Sequence, residues 1–286
     1  MPCLCLPYLF SCKKNSDSPK KPLNVYVAGS EAGRAKYWKN DNPNSLTDGS
    51  KNSVASGIAV SGNDIYAAGY ESNTTVTVAK YWKNGNPVIL TTGGRSSEAY
   101  SINVSGNDVY VAGFESDGAK MVAKFWKNGT EVSLPDGTYN NFARSIFVSG
   151  NDVYVCGYVI YPLFFGARLW KNGSSVPLTT KFAGALSVTA SGNDVFVAGY
   201  EYKGVHFVAE YWKNNDPVIL SDGSKDAKAN SIAIVGNDVY VSGYEYNASI
   251  GKIWQYPRAE PAWLFPRLFK YSFDLLSKEN EFVFFE

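Results

Sequence analysis

The sequence has one histidine, His206, and four cysteines in 286 residues. With no second histidine to share a metal and no recognisable nucleophile nearby, His206 is expected to be an exposed or packed side chain rather than a catalytic base. Cys3, Cys5 and Cys12 crowd the first twelve residues and only Cys156 lies in the body, so disulfides cannot supply a framework. Cys156 takes a slot filled in other copies of the repeat by Ala or Ser, which marks it as a small buried filler. Charge is scarce and balanced: 27 basic and 26 acidic residues give a net +1, which removes the global field that draws a chain to nucleic acid. No apolar run approaches the ~18 residues that a membrane-spanning helix requires. The 3.6-residue periodicity of a helical solenoid is missing. So are the P-loop, His-Glu-x-x-His, Gly-x-Ser-x-Gly and Ser-x-Asp-x-Gly-x-Thr-Trp signatures. No catalytic residue is assigned, and neither a cofactor nor a metal is expected.

Aromatic residues and glycine are abundant. Twenty Tyr, sixteen Phe, seven Trp and 26 Gly suit many short strands joined by tight turns. Those strands come from one unit written six times. After "NVYVAG" at 24–29 stand "NDIYAAGY", "NDVYVAGF", "NDVYVCGY", "NDVFVAGY" and "NDVYVSGY", beginning at residues 63, 107, 151, 193 and 237. Between them come "KYWKN", "KYWKNG", "KFWKNG", "RLWKNG", "EYWKNN" and "KIWQY". Their tryptophans, Trp38, Trp82, Trp126, Trp170, Trp212 and Trp254, are spaced 44, 44, 44, 42 and 42 residues apart. Each unit resolves into four strands. In the third unit these are Ala99 to Val104, Val109 to Phe114, Val122 to Lys127 and Glu131 to Leu134. Ser105-Gly106-Asn107-Asp108 turns the first into the second, and Asn128-Gly129, suited to a type I′ turn, turns the third into the fourth. A period of this length and four antiparallel strands per unit predict an all-β, six-bladed β-propeller.

The strand Val109-Tyr110-Val111-Ala112-Gly113, followed in the third strand by Phe125, resembles the kelch repeat, whose second strand reads aliphatic-Tyr-aliphatic-x-Gly-Gly. The likeness runs from residue 23 to 254 and implies the same architecture. The second Gly of the kelch pattern is replaced here by Ser30, Tyr70, Phe114, Tyr158, Tyr200 and Tyr244. The "YWKNG" units also resemble repeats in bacterial lipoproteins of unassigned function.

Residues 1–22 read as a processing segment and tether. Leu9-Phe10-Ser11-Cys12 resembles a lipobox, which implies lipidation of Cys12 and an extracytoplasmic, membrane-anchored protein. Residues 23–254 form the propeller. Residues 255–286 abandon the repeat where the first unit lacks its first strand and the last unit its fourth. Two readings stay open: the tail supplies strands that close the ring, with Glu281 to Phe285 beside Val25 to Gly29, or it is a frame-shifted or truncated remnant.

The turns "SGND" and "WKNG" are nearly constant, whereas the loops between second and third strands vary from unit to unit, and variable loops on a rigid scaffold are where binding usually resides. Ser56, Tyr100, Arg144, Leu186 and Asn230 occupy equivalent places near the start of the first strand and should border the channel on that face. Of these, Tyr100, Arg144 and Asn230 are the candidate ligand-binding residues, offering stacking, bidentate and amide chemistry. Glu31, Glu71, Glu115, Glu201 and Glu245 face a series of Lys36, Lys80, Lys124, Arg168 and Lys252, interrupted by Glu210, and are expected to form cross-strand charge pairs. The fourth unit replaces its polar loop with an apolar one, in which Ile160, Tyr161, Phe164 and Phe165 are candidates for partner contact. The leading functional expectation is a monomeric, non-enzymatic binding propeller with a protein or glycan partner. A carbohydrate-binding propeller using the repeated aromatics is the alternative, and a hydrolase or lyase with dispersed acids is the weakest reading.

Overall fold

The hairpin chemistry written into each repeat is what the backbone uses. The computed structural model describes residues 24–134, 137–246, 251–256, 276–278 and 281–285; among them there is no helix, and the strands form six sheets. In the third sheet, Ser97–Ser105, Asp108–Ser116, Met121–Lys127 and Thr130–Ser133 pair antiparallel in chain order. Gly106 takes φ of 60° at the first central position of one turn, as a type II′ hairpin needs. Asn128 and Gly129 take φ of 50° and 82° in the next, as type I′ needs. The two turns then clasp. The Asn128 amide donates to Asp108 at 2.8 Å, its Oδ1 accepts from Val109 N at 2.9 Å, and Lys127 pairs with Asp108 at 2.8 Å. The same triad recurs at Asp64, Asp152 and Asp194, so the constancy of both turns has a structural cause.

The second, fourth and fifth sheets repeat this plan around first strands Ser53–Ser61, Asn140–Ser149 and Ala183–Ser191. The sixth has three strands, Ala227–Val235, Asp238–Glu245 and Gly251–Tyr256. First strands of successive sheets lie against one another, which makes each sheet a blade and the whole a six-bladed β-propeller. The first blade holds Asn24–Glu31, Arg34–Lys39 and Asn42–Ser45. Beside Asn24–Glu31 runs Glu281–Phe285, with Val25 opposite Phe282, and beyond that Leu276–Lys278. The pairing of Glu281–Phe285 with the first blade is parallel, unlike the pairs within the blades.

The core lies between blades. Trp126 of the third blade packs with Ala59, Tyr66, Tyr81 and Leu90 of the second, and with Ile102 and Val111 of its own. Trp82, Trp170 and Trp212 make the same bridge to the blade before them. All four are fully buried. The tryptophan period is therefore the period of blade-to-blade packing. Cys156 is buried in the same way, in the cluster that joins the fourth and fifth blades.

Candidate functional site

In five of the six blades the first strand breaks its ladder at one place. Ala55 and Gly57 pair with Gly69 and Ala68, which leaves Ser56 outside the register; Tyr100, Arg144, Leu186 and Asn230 are extruded in the same way in the next four blades. A bulge of this kind bends the strand and re-aims one side chain. The five residues that the sequence places at the channel border are thus the five bulged residues, and the side chain changes at each one.

Three of them, Arg144, Leu186 and Asn230, line a cavity of about 390 Å³ together with Tyr158, Ile160, Phe165, Tyr200, Lys228 and Tyr244. Tyr100 stands behind Arg144, whose guanidinium lies 4.2 Å from the centre of the Tyr100 ring. The Tyr100 hydroxyl donates to Glu98 at 2.9 Å, and burial, with Glu98 adding to it, pushes its pKa well up. Ser56 is not among the lining residues.

Four lining residues had not been singled out as ligand contacts. Tyr158, Tyr200 and Tyr244 directly follow the repeated Gly of each second strand, and they turn into the channel mouth. Burial raises the pKa of Tyr200 and of Tyr244, so both phenols stay neutral. Lys228 lies opposite Tyr244 on the first strand of the sixth blade, its ammonium 4.2 Å from the Tyr200 ring centre and 5.5 Å from that of Phe207. Burial lowers its pKa, against the pull of Asp226. The visible signal for all four was their alternation with the bulge: they sit on the strand positions that share its face.

The apolar loop of the fourth blade divides into two parts. Ile160 and Phe165 belong to the cavity wall. Tyr161 and Phe164 stack on each other at 4.7 Å, Tyr161 also meets Tyr139 at 5.2 Å, and the Arg168 guanidinium donates to the Tyr161 hydroxyl. Pro162 and Leu163 are the members of this loop that stand in solvent, Leu163 with 93% exposure. Cys12 lies outside the described residues.

The acidic series forms cross-strand pairs. Lys80 meets Glu71 at 3.2 Å and Lys124 meets Glu115 at 2.6 Å, and Lys36–Glu31 and Lys252–Glu245 repeat the contact. The fifth blade reverses one charge. Glu210 is fully buried where the other blades carry a cation, and Lys203 comes in from the loop to lie 3.1 Å from its Oε2. The contact is an ion pair, and Lys203 divides itself between Glu210 and Glu201. His206 ends the same loop as Lys203, with its Nδ1 3.4 Å from Asp226. Among the described residues, no three His, Cys, Asp or Glu side chains gather as metal ligands.

Neither protein-family models nor curated protein sequences give a match to the chain. Among solved structures, it is similar to an acylaminoacyl peptidase of Pyrococcus horikoshii, with a TM-score of 0.47 and 13% identity over 90% of this chain and 47% of that one. The chain thus spans about half of the peptidase's length. It is also similar to YjhT, with a TM-score of 0.43 and 10% identity over 79% of this chain and 92% of that one. Likenesses of this degree say nothing about activity.

Proposed function

We propose that the chain is a non-enzymatic binding propeller whose ligand sits in the channel mouth, on the face of the variable loops. The observation that carries this reading is the set of five bulges. In the clasped turns of the second to fifth blades the repeat keeps its Asp and Asn along with the geometry. At the bulge it keeps the geometry and changes the residue, through Ser56, Tyr100, Arg144, Leu186 and Asn230. A repeated device that re-aims a different side chain in each of five blades, and brings Arg144, Leu186 and Asn230 to one cavity, suits recognition of a single asymmetric ligand.

The carbohydrate reading loses the repeated tryptophans, since Trp82, Trp126, Trp170 and Trp212 are buried between blades. It moves instead to Tyr158, Tyr200, Tyr244 and Phe165 in the mouth, which could stack one sugar ring in place of six equivalent ones. Kinship with kelch repeats, and anchoring outside the cytoplasm through a lipid on Cys12, are parts of the same proposal that rest on the sequence alone. Labelling with a palmitate analogue, present in the parent and lost in Cys12→Ala, is the result expected for the anchor.

The test of the binding reading is a ligand-observed NMR screen of a fragment library and a glycan array, run on the parent chain and on Arg144→Ala/Asn230→Ala. Binders lost in the folded double variant support the mouth. Binders that are all retained by it, or no binder at all, count against it.

A further inference from the structure

Two cations face the cavity with no counter-ion among the described residues. Arg144 enters from the fourth blade and Lys228 from the sixth. Among the described residues, neither has a carboxylate within ion-pair distance; each rests only on aromatic faces, Arg144 on Tyr100 and Lys228 on Tyr200 and Phe207. The carboxylates that lie near are otherwise engaged. Glu98 accepts the Tyr100 hydroxyl at 2.9 Å, and Asp226 accepts the Phe207 backbone N–H at 2.8 Å and faces His206. Lys80, Lys124 and Lys203, by contrast, each find an acid.

Stacking on a ring face neutralises part of a cation's field but uses none of its N–H groups. The planar guanidinium of Arg144 and the ammonium of Lys228 therefore present directed donors to one cavity, beside the Asn230 amide. Holding two half-desolvated cations without an anion is unfavourable, and an anion placed between them would relieve that cost. The rest of the wall is flat and apolar: Tyr158, Tyr200, Tyr244 and Phe165, with Leu186 and Ile160. A volume of about 390 Å³ admits a ligand of one ring and its substituents.

We infer that the ligand of this mouth is an anion carried on a ring, with its carboxylate or phosphate held by Arg144 and Lys228 and its ring laid against the tyrosine wall. The inference rests on the binding reading above and gives that site its ligand class.

The experiment titrates the full chain by calorimetry with four probes of one shape: benzoate, phenyl phosphate, benzamide and benzylamine. At least one of the two anions is expected to bind about tenfold or more tightly than benzamide, with affinity falling as salt rises, and benzylamine is expected not to bind. Whichever anion binds more tightly names the headgroup class. Arg144→Gln and Lys228→Gln are each expected to weaken that anion by about tenfold and to leave benzamide unchanged. Thermal melting gives a second readout: the bound anion should raise the Tm of the parent and not of Lys228→Met, a variant that removes a desolvated charge and should fold. Equal binding of benzamide and both anions overturns the anionic class and leaves the mouth as a binding site. Anion binding unchanged in both Gln variants overturns the class as well. Failure of all four probes and of the fragment library overturns the binding reading itself.

Discussion

The Ser145 hydroxyl lies 3.2 Å from the backbone nitrogen of Val188, one blade further round the ring, and accepts its hydrogen bond. Ser101 does the same for Ile146 at 3.2 Å, and Ser187 for Ile232 at 3.3 Å. The donor is the N–H just past the bulge, on a first strand with no further strand of its own blade beside it. The hydroxyl of the preceding blade satisfies a group that burial would otherwise leave unpaired. In the second blade the equivalent residue is Gly57, where a Cβ would stand 2.9 Å from the Tyr100 carbonyl oxygen, so those two strands meet too closely for a serine. Ser145→Ala is expected to cost about 1–3 kcal/mol by chemical denaturation. A change within a few tenths of a kcal/mol would mean that the N–H is paired in some other way.

Trp126 is fully buried between the second and third blades, and among the described residues its indole N–H has no hydrogen-bond partner. Its contribution is therefore mainly packing. Trp126→Ala is expected to cost about 3–5 kcal/mol, and Trp126→Phe markedly less, because the ring's polar atom makes no bond to lose. A ligand-binding role would reverse this, with stability kept and a binding activity lost.

The parts of the fold that the sequence shows plainly are those where one residue type has one physical use. Asn128-Gly129 must take positive φ, Trp126 must fill an inter-blade gap, and Asp108 must hold the turn, so each is rewritten in every copy that needs it. The bulged positions could be picked out too, because Ser56, Tyr100, Arg144, Leu186 and Asn230 vary at a fixed place in the repeat, though only the last three line the cavity. Lys228 and Tyr200 could not, because a period of two gives the side of the strand and the blade's twist decides whether that side meets a neighbour or the mouth. The pairing of Glu210 with Lys203 was hidden for a different reason: the partner arrives from a loop whose path the repeat does not dictate.

Glu210 links stability to pH. Burial pushes its pKa from the ordinary 4.5 up to about 7, with Glu201 adding to the rise and Lys203 and Lys181 opposing it. A carboxyl raised on folding is neutral in both states below pH 4.5 and costs nothing there. Between about pH 4.5 and 7 the unfolded chain releases its proton first, so stability falls as pH rises through that window and levels off above it. Glu201 works the other way: its hydrogen bonds to Lys203, Thr179 and Lys181 outweigh burial and lower its pKa, so its contribution is lost as pH falls below the ordinary carboxyl range. Glu210→Gln is expected to raise stability at pH 8 by about 1–3 kcal/mol and to remove the slope between pH 4.5 and 7. Denaturation midpoints for the parent and the variant across that range give the answer; a slope equal in both would place the titrating group elsewhere.

Gly184 separates the shape of the mouth from the stability of the blade. It pairs with Tyr200 across the first two strands of the fifth blade, and a Cβ on it would come 2.8 Å from the Tyr200 ring carbon Cζ and hydroxyl. Its own backbone is ordinary strand, so alanine brings no conformational strain, and what must yield is the far end of a side chain rather than the sheet. Tyr200 is also the ring on which Lys228 rests, 4.2 Å from its centre. Gly184→Ala should therefore swing the tyrosine end into the cavity and carry the ammonium with it. The expected outcome is a change in stability below about 1 kcal/mol, because the overpacking falls on a movable group. Affinity for whatever occupies the mouth should fall by about tenfold, because a wall and a cation move together. Measured side by side, unchanged affinity would show that Tyr200 closes the cavity without shaping it, whereas a loss of stability larger than the loss of binding would show that the ring cannot move.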